Sequence, residues 1–153
     1  MQLQKAPSNM NPKTYRRIIR ASAIYDIIVT LPFAIPVLAA WNLAQITGLH
    51  NSLGFGGSIP EFEPLHIFFV NLMGTVVMTW SFLRVIRPDP LLGLLDGVGR
   101  FLFSTWMLYY LFVHSATAIL WLFFVPEILW GIVQVFGYLK LPADAKKPTY
   151  LAA

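Results

Sequence analysis

The sequence predicts an all-α membrane protein, a four-transmembrane-helix bundle with both termini in the cytoplasm. The chain of 153 residues is 57% hydrophobic and only 12% charged, whereas ordinary soluble domains contain about 25% charged residues. Its mean hydropathy is +0.64, so polar side chains are too few to cover a water-soluble domain of this size. Four long apolar segments fill most of the chain, which we therefore interpret as a single transmembrane domain over residues 1–153.

The same composition excludes several classes of function. A soluble enzyme domain, a disordered chain and a nucleic-acid-binding module all need more polar residues, and the net charge of +4 does not change this. The sequence contains no cysteine. Disulfides, thiol redox chemistry, iron–sulfur clusters and c-type haem attachment are therefore excluded as well.

Four segments are long enough to cross a bilayer, which takes about 20 mostly apolar residues. We predict these spans at residues 18–45, 65–85, 91–113 and 116–139. Pro32 and Pro36 predict a kink within the first span. The prolines of RPDP at 87–90 predict a tight turn, and the Gly-, Ser- and Pro-rich segment 46–64 predicts an extracytoplasmic loop.

The basic residues predict the orientation of the bundle. Four spans place both termini on the same side as the turn at 84–90. The basic residues of these three regions are Lys5, Lys13, Arg16, Arg17, Arg20, Arg84, Arg87, Lys140, Lys146 and Lys147. The connections 46–64 and 114–116 contain no Lys or Arg. The positive-inside rule therefore predicts cytoplasmic termini.

A few polar residues lie inside the predicted spans, where ionisable groups are costly and indicate a functional site or a buried structural pair. They are Asp26, Asn71, Asp96, Arg100, Glu127 and Gln134. The i,i+4 spacing of Asp96 and Arg100 puts both on one helix face. With Arg84 assigned to the cytoplasmic turn, Arg100 is the only cation for three carboxylates. This imbalance predicts that one carboxyl, Glu127, is protonated at neutral pH.

Two interpretations of these residues remain open. They form either a proton-linked or polar-ligand site, or a structural network that holds the helices together. The amides of Asn71 and Gln134 favour helix joining. Gly93 and Gly97 form a small-xxx-small pattern that lets another helix approach closely, within the bundle or in a homodimer.

The three histidines and two glutamates cluster toward the predicted extracytoplasmic side, where a metal or haem site is an alternative. These residues are His50, His66, His114, Glu61 and Glu63. Imidazole and carboxylate groups are suitable metal ligands. If the second and third spans are neighbours, His66 and His114 are also suitable axial ligands for a b-type haem.

Three segments carry a resemblance to a known family: PLHIFFVNLMGTVVMTWSFLRVIRP at 64–88, LGLLDGVGRFLFSTWMLYYL at 92–111 and VPEILWGIVQVFGYLK at 125–140. In these segments and in its general pattern over residues 18–140, the chain resembles the DoxX-like group of small four-helix membrane proteins, including the BphX-like branch. The resemblance implies a compact bundle in the bacterial plasma (inner) membrane. Some members are associated with quinone-linked sulfur oxidation, but the thiol chemistry does not carry over because cysteine is absent.

These observations predict a membrane protein without catalytic activity of its own. We expect an accessory or assembly partner, or a binder of a hydrophobic small molecule, that requires no cofactor. The alternative is a membrane redox or proton-linked transport component that uses a quinone or haem. The expected partners are the lipid bilayer and another membrane protein or a second copy of the chain, and not nucleic acid.

Overall fold

The structure, a computed structural model, describes residues 10–146, and within them it is helical. Five α-helices follow one another: α1 (Pro12–Ala34), α2 (Pro36–Leu53), α3 (Pro64–Ile86), α4 (Pro90–Val113) and α5 (Leu120–Leu139). A short 3₁₀ helix covers Asp144–Lys146. The all-α class is therefore confirmed. Lys5 and Lys147, which entered the orientation argument, lie outside the described residues.

Proline sets the start of four of the five helices. Pro12, Pro36, Pro64 and Pro90 each occupy the first helical position, where the missing N–H costs no hydrogen bond and the fixed φ favours the helix. The side chain of Asn11 caps α1 by accepting from the Lys13 N–H, and that of Asp89 caps α4 by accepting from the Leu91 N–H. The helix boundaries are thus encoded locally.

The first predicted span is wrong as a single kinked helix. The structure divides it at Ile35, and α1 and α2 are bent by 99° relative to each other. Ile35 is extended, as the residue before a proline prefers to be. Pro36 has no N–H to donate to the preceding turn. The helix therefore ends at Ala34 and a new one begins in another direction.

The predicted extracytoplasmic loop at 46–64 is also wrong over its first part. Helix α2 continues to Leu53, so His50 is helical rather than in a loop. Gly54 ends α2 in the left-handed conformation, with φ 59°, which glycine adopts without a steric penalty. Helix α5 begins at Leu120, four residues later than the predicted 116. The spans predicted at 65–85 and 91–113 agree with α3 and α4 to within one residue.

Two antiparallel helix pairs form the bundle, α1 with α3 and α4 with α5. Near one end of the first pair, Arg20 donates from Nε to the Val85 carbonyl at 3.3 Å. Farther along, Asn71 donates to the Phe33 carbonyl at 2.8 Å. The start of α1 also contacts the second pair, where the Tyr15 hydroxyl donates to the Gln134 carbonyl at 2.9 Å. Helix α1 therefore joins the two pairs.

The burial pattern is the reverse of that in a soluble protein. Large apolar side chains cover the outside, such as Val37, Phe112 and Ile28, which are 67–78% exposed. The interior contains polar and charged side chains, including Ser22, Ser81 and Gln134. Helices α3, α4 and α5 are each long and apolar enough to cross a membrane, and α1 with α2 makes a fourth such unit if the bent pair counts as one span. These features fit a helical membrane protein.

Candidate charge network and adjoining cavity

Five charged side chains from four helices meet in the interior and form what we call the charge network. Its members are Asp26 on α1, Arg84 on α3, Asp96 and Arg100 on α4, and Glu127 on α5. Both arginines donate from Nη2 to Asp26 Oδ2, at 2.6 Å for Arg84 and 2.5 Å for Arg100. They also share Asp96 Oδ2, at 2.6 and 3.0 Å. The predicted Asp96–Arg100 pair is therefore part of a larger assembly.

Arg84 is the member that the sequence analysis assigned wrongly. We predicted it in the cytoplasmic turn, but its side chain points into the bundle and is 0% exposed. Trp80 and Ser81, which neighbour it on α3, also join the network. The Trp80 Nε1 donates to Asp96 Oδ1 at 2.8 Å, and Arg84 donates to Ser81 Oγ at 3.0 Å. The i,i+3 spacing of Ser81 and Arg84 in a largely apolar helix is the sequence signal for this polar face.

Ser22 connects all four helices through one hydroxyl oxygen. Its Oγ accepts hydrogen bonds from Arg100 at 2.9 Å, from Gln134 at 3.0 Å and from Arg84 at 3.4 Å. Ser22 lies four residues before Asp26, so the two share a face of α1. Ser22 does not stand out in the sequence, because a serine within a helix is common and carries no charge. Gln134 was predicted to join helices, and it lies completely buried at this junction.

The charge network contains one more acidic than basic side chain. Two arginines face Asp26, Asp96 and Glu127, so full ionisation leaves one uncompensated negative charge. Glu127 is bound least completely, because Arg100 contacts only its Oε1, at 3.0 Å. Within residues 10–146, its Oε2 is buried without a hydrogen-bond partner. This carboxyl oxygen is therefore the position in the network that is open to a proton or a donor group.

A cavity of about 440 Å³ adjoins the charge network and is lined by residues of α1, α3, α4 and α5. All five network residues line it, and its other walls are mostly apolar, including Val76, Phe103 and Phe123. Val76 is 61% and Phe103 49% exposed, so the cavity opens on the apolar outer surface. The result is a cleft with a charged end and apolar sides, of the size range of small-molecule sites.

Asn71 lies apart from the charge network and bonds instead to a backbone carbonyl at the break between α1 and α2. The Phe33 carbonyl would bond to an N–H four residues later in a continuous helix, but α1 ends at Ala34. The Asn71 amide donates to this carbonyl at 2.8 Å. The predicted role of Asn71 in joining helices is consistent with this contact, which lies between α3 and the end of α1.

Gly93 and Gly97 both lie where another helix comes close. A Cβ atom on Gly93 would be 2.6 Å from the Ile19 side chain of α1, and one on Gly97 would be 2.8 Å from Val135 of α5. Both glycines are buried. Their face of α4 is therefore occupied within the chain and is not available to a second copy.

The histidines make separate local contacts. His50 bonds to the Thr117 hydroxyl at 2.8 Å, His66 accepts from the Glu63 N–H at 3.1 Å, and His114 bonds to the Tyr109 hydroxyl at 3.2 Å. Across residues 10–146, no three His, Asp or Glu side chains are grouped so as to hold a metal ion. A metal centre formed by the histidines with Glu61 and Glu63 is therefore not assembled there. Haem ligation by His66 and His114 stays a prediction.

Comparisons with protein-family models, curated proteins and solved structures found no match. The resemblance to the DoxX-like group accordingly stays a prediction. The class that the fold and the site define is a helical membrane protein with a buried charge network beside an open cleft.

Proposed function

We propose that the chain crosses the bacterial inner membrane four times, with both termini in the cytoplasm, and that α1 and α2 together form one crossing. Helix α1 starts beside the basic turn between α3 and α4, where Arg20 bonds to Val85. The end of α2 lies at the opposite end, where His50 bonds to Thr117 and the Gly56 carbonyl accepts from the Ala118 N–H. The bent pair thus runs from one end of the bundle to the other, which supports this topology.

Reporter fusions test the topology. We expect green fluorescent protein fused after Ala153 to fluoresce, and alkaline phosphatase at the same position to be inactive, because the positive-inside rule retains the C-terminus in the cytoplasm. Insertion of the same reporters after Gly56 should give the opposite pattern. An active phosphatase after Ala153 would contradict the proposed orientation.

We further propose that the protein binds a small amphipathic molecule from the membrane in the cleft between α3 and α4 and has no catalytic activity of its own. The observation that carries this proposal is the cavity of about 440 Å³, which has the charge network at one end and apolar walls along its sides. Such a site suits a ligand with one polar group and an apolar body. The ligand would enter from the bilayer, because Val76 and Phe103 expose the walls to it.

In this arrangement the apolar body of the ligand lies along α3 and α4, and its polar group meets Tyr25 and Glu127 at the charged end. Both residues line the cavity, and Glu127 Oε2 has no hydrogen-bond partner in the part of the chain that the structure describes. A donor group on the ligand would satisfy this oxygen. The protein would act as an accessory or assembly partner that holds or presents this molecule to another membrane protein.

Filling the cavity tests ligand binding. Gly99 lines the cleft, and a Cβ there would meet no atom within 4 Å. We therefore expect Gly99→Leu to occupy the cleft and to reduce about tenfold the amount of small molecule that co-purifies, measured by mass spectrometry of solvent extracts. The matched control is Gly48→Leu. A Cβ on Gly48 would also meet no atom within 4 Å, but Gly48 does not line the cleft. Equal retention by both variants would overturn the proposal.

A proton-linked role is the second candidate, and the excess carboxylate of the charge network favours it. The groups that face Glu127 are Arg100 and Asp96 from α4 and Asp26 and Tyr25 from α1. A proton on Glu127 would make the network neutral. Quinone or haem chemistry belongs to this alternative, and an absorption spectrum of the purified protein tests the haem part through the presence of a Soret band.

Infrared spectroscopy tests whether the Glu127 carboxyl group carries a proton. We expect the wild-type protein at neutral pH to show the C=O stretching band of a protonated carboxyl group, because one carboxylate in the network lacks a cation. Glu127→Gln should remove this band. Glu61→Gln, at an exposed residue outside the network, should leave it unchanged. A spectrum of Glu127→Gln that still contains the band would show that Glu127 does not carry the proton.

A further inference from the structure

A second cavity, distinct from the cleft, lies at the basic end of the bundle. It has a volume of about 770 Å³ and is formed by the first turns of α1 and the connection between α3 and α4. No described residue lines both this cavity and the cleft. Its positive residues are Lys13, Arg16, Arg17, Arg20 and Arg87. We call it the basic cavity.

The charges of the basic cavity are strongly unbalanced. Among the described residues that line it, five are basic and one, Asp89, is acidic. The four on α1 follow the spacing i, i+3, i+4 and i+7, which places them on one face of the helix, where like charges repel. Arg20 is held against α3 through the neutral Val85 carbonyl, at 3.3 Å. An anion in this cavity would relieve the repulsion.

The opposite walls of the basic cavity are apolar. They are formed by Leu83 and Ile86 at the end of α3 and by Leu91 and Leu92 at the start of α4. Ile86 is 60% exposed, so this wall continues into the apolar outer surface of the bundle. A ligand that fits both sides has an anionic group joined to a hydrocarbon chain. Inorganic phosphate would use only the basic side.

We propose that the basic cavity binds the phosphate headgroup of an anionic phospholipid. The arginines of α1 and Arg87 surround the phosphate, and an acyl chain leaves along Leu83 and Ile86 into the bilayer. Arginine is suited to this role because its planar fork can donate two hydrogen bonds to phosphate oxygens. Basic side chains at span ends lie at the level of lipid headgroups, where they attract anionic lipids. The proposal goes beyond the amphipathic ligand of the cleft and does not depend on it.

Lipid titration of the delipidated full-length protein in neutral detergent tests the proposal, with native mass spectrometry as the readout. The probes are phosphatidylglycerol, phosphatidylcholine and inorganic phosphate. The test variant is Arg17→Gln with Arg87→Gln, and both residues are exposed. The control variant is Lys140→Gln with Lys146→Gln, which removes the same charge near the same end but outside the basic cavity.

We expect phosphatidylglycerol to bind the wild-type protein more tightly than phosphatidylcholine does. Its affinity should fall about 25-fold in the arginine variant, about fivefold for each cation removed, and stay within about twofold in the lysine variant. Equal affinity for the two lipids would overturn the proposal, and so would an equal loss in the lysine variant. Displacement of the lipid by equimolar inorganic phosphate would show a free-anion site instead and would also overturn it.

Discussion

Replacement of Arg84 by glutamine is expected to lower the free energy of unfolding by about 3–5 kcal/mol, because the buried carboxylates of Asp26 and Asp96 each lose one of their two cations. Arg100 then remains as the one cation of the network for three carboxylates. Arg84 is 0% exposed and bonds to both Asp26 and Asp96 at 2.6 Å. Unfolding in mixed micelles, followed by circular dichroism, measures the change.

Two further variants separate the loss of this buried cation from a general loss of charge. Arg87→Gln removes the same guanidinium group at an exposed position three residues later. In neutral detergent we expect this variant to change the free energy of unfolding by less than about 0.5 kcal/mol. Arg84→Gln combined with Asp96→Asn keeps the charge difference of the native network. This double variant should be more stable than Arg84→Gln alone. A single variant as stable as the wild type would contradict the network as described.

The second large effect is expected at Gly74, where α3 approaches the end of α1. A Cβ there would be 2.7 Å from the Ala34 nitrogen and 2.8 Å from the Phe33 carbonyl carbon. Both are backbone atoms and cannot rotate away. Gly74→Ala should therefore push the two helices apart and lower the free energy of unfolding by about 1–3 kcal/mol, measured by the same unfolding experiment.

Gly99→Ala is the matched control on α4. Its Cβ would meet nothing within 4 Å, and alanine favours a helix over glycine by up to about 1 kcal/mol. We expect stability that is equal to or slightly above that of the wild type. If both alanine variants lost the same stability, the close approach of α1 and α3 at Gly74 would not be the cause.

The sequence predicted the elements whose boundaries are set by local chemistry. The prolines of RPDP at 87–90 and the apolar length of each segment predicted α3 and α4 to within one residue. Pro32 and Pro36 predicted a disturbance in the first span. The size of this disturbance, a 99° bend between α1 and α2, depended on the tertiary structure. The bend leaves the Phe33 carbonyl without its helical partner, and the Asn71 amide of α3 donates a hydrogen bond to it instead.

The candidate site was predicted in part. Asp26, Asp96, Arg100, Glu127 and Gln134 stood out because a charge or an amide in an apolar segment is conspicuous. Ser22, Ser81 and Trp80 did not, since each is ordinary in a membrane helix. Their roles come from contacts between helices that are distant in the chain, such as that of Ser22 with Gln134 at 3.0 Å.

By itself the sequence determined that this protein is helical, that it is too apolar for a water-soluble domain and that a few polar residues lie in its long apolar segments. Only the tertiary structure decided that Arg84 belongs to these interior residues. An arginine one turn from a helix end has a side chain long enough to reach either the aqueous surface or the interior. The packing of α1 against α3 places Asp26 and Ser22 beside Arg84, and this proximity turns the guanidinium inward.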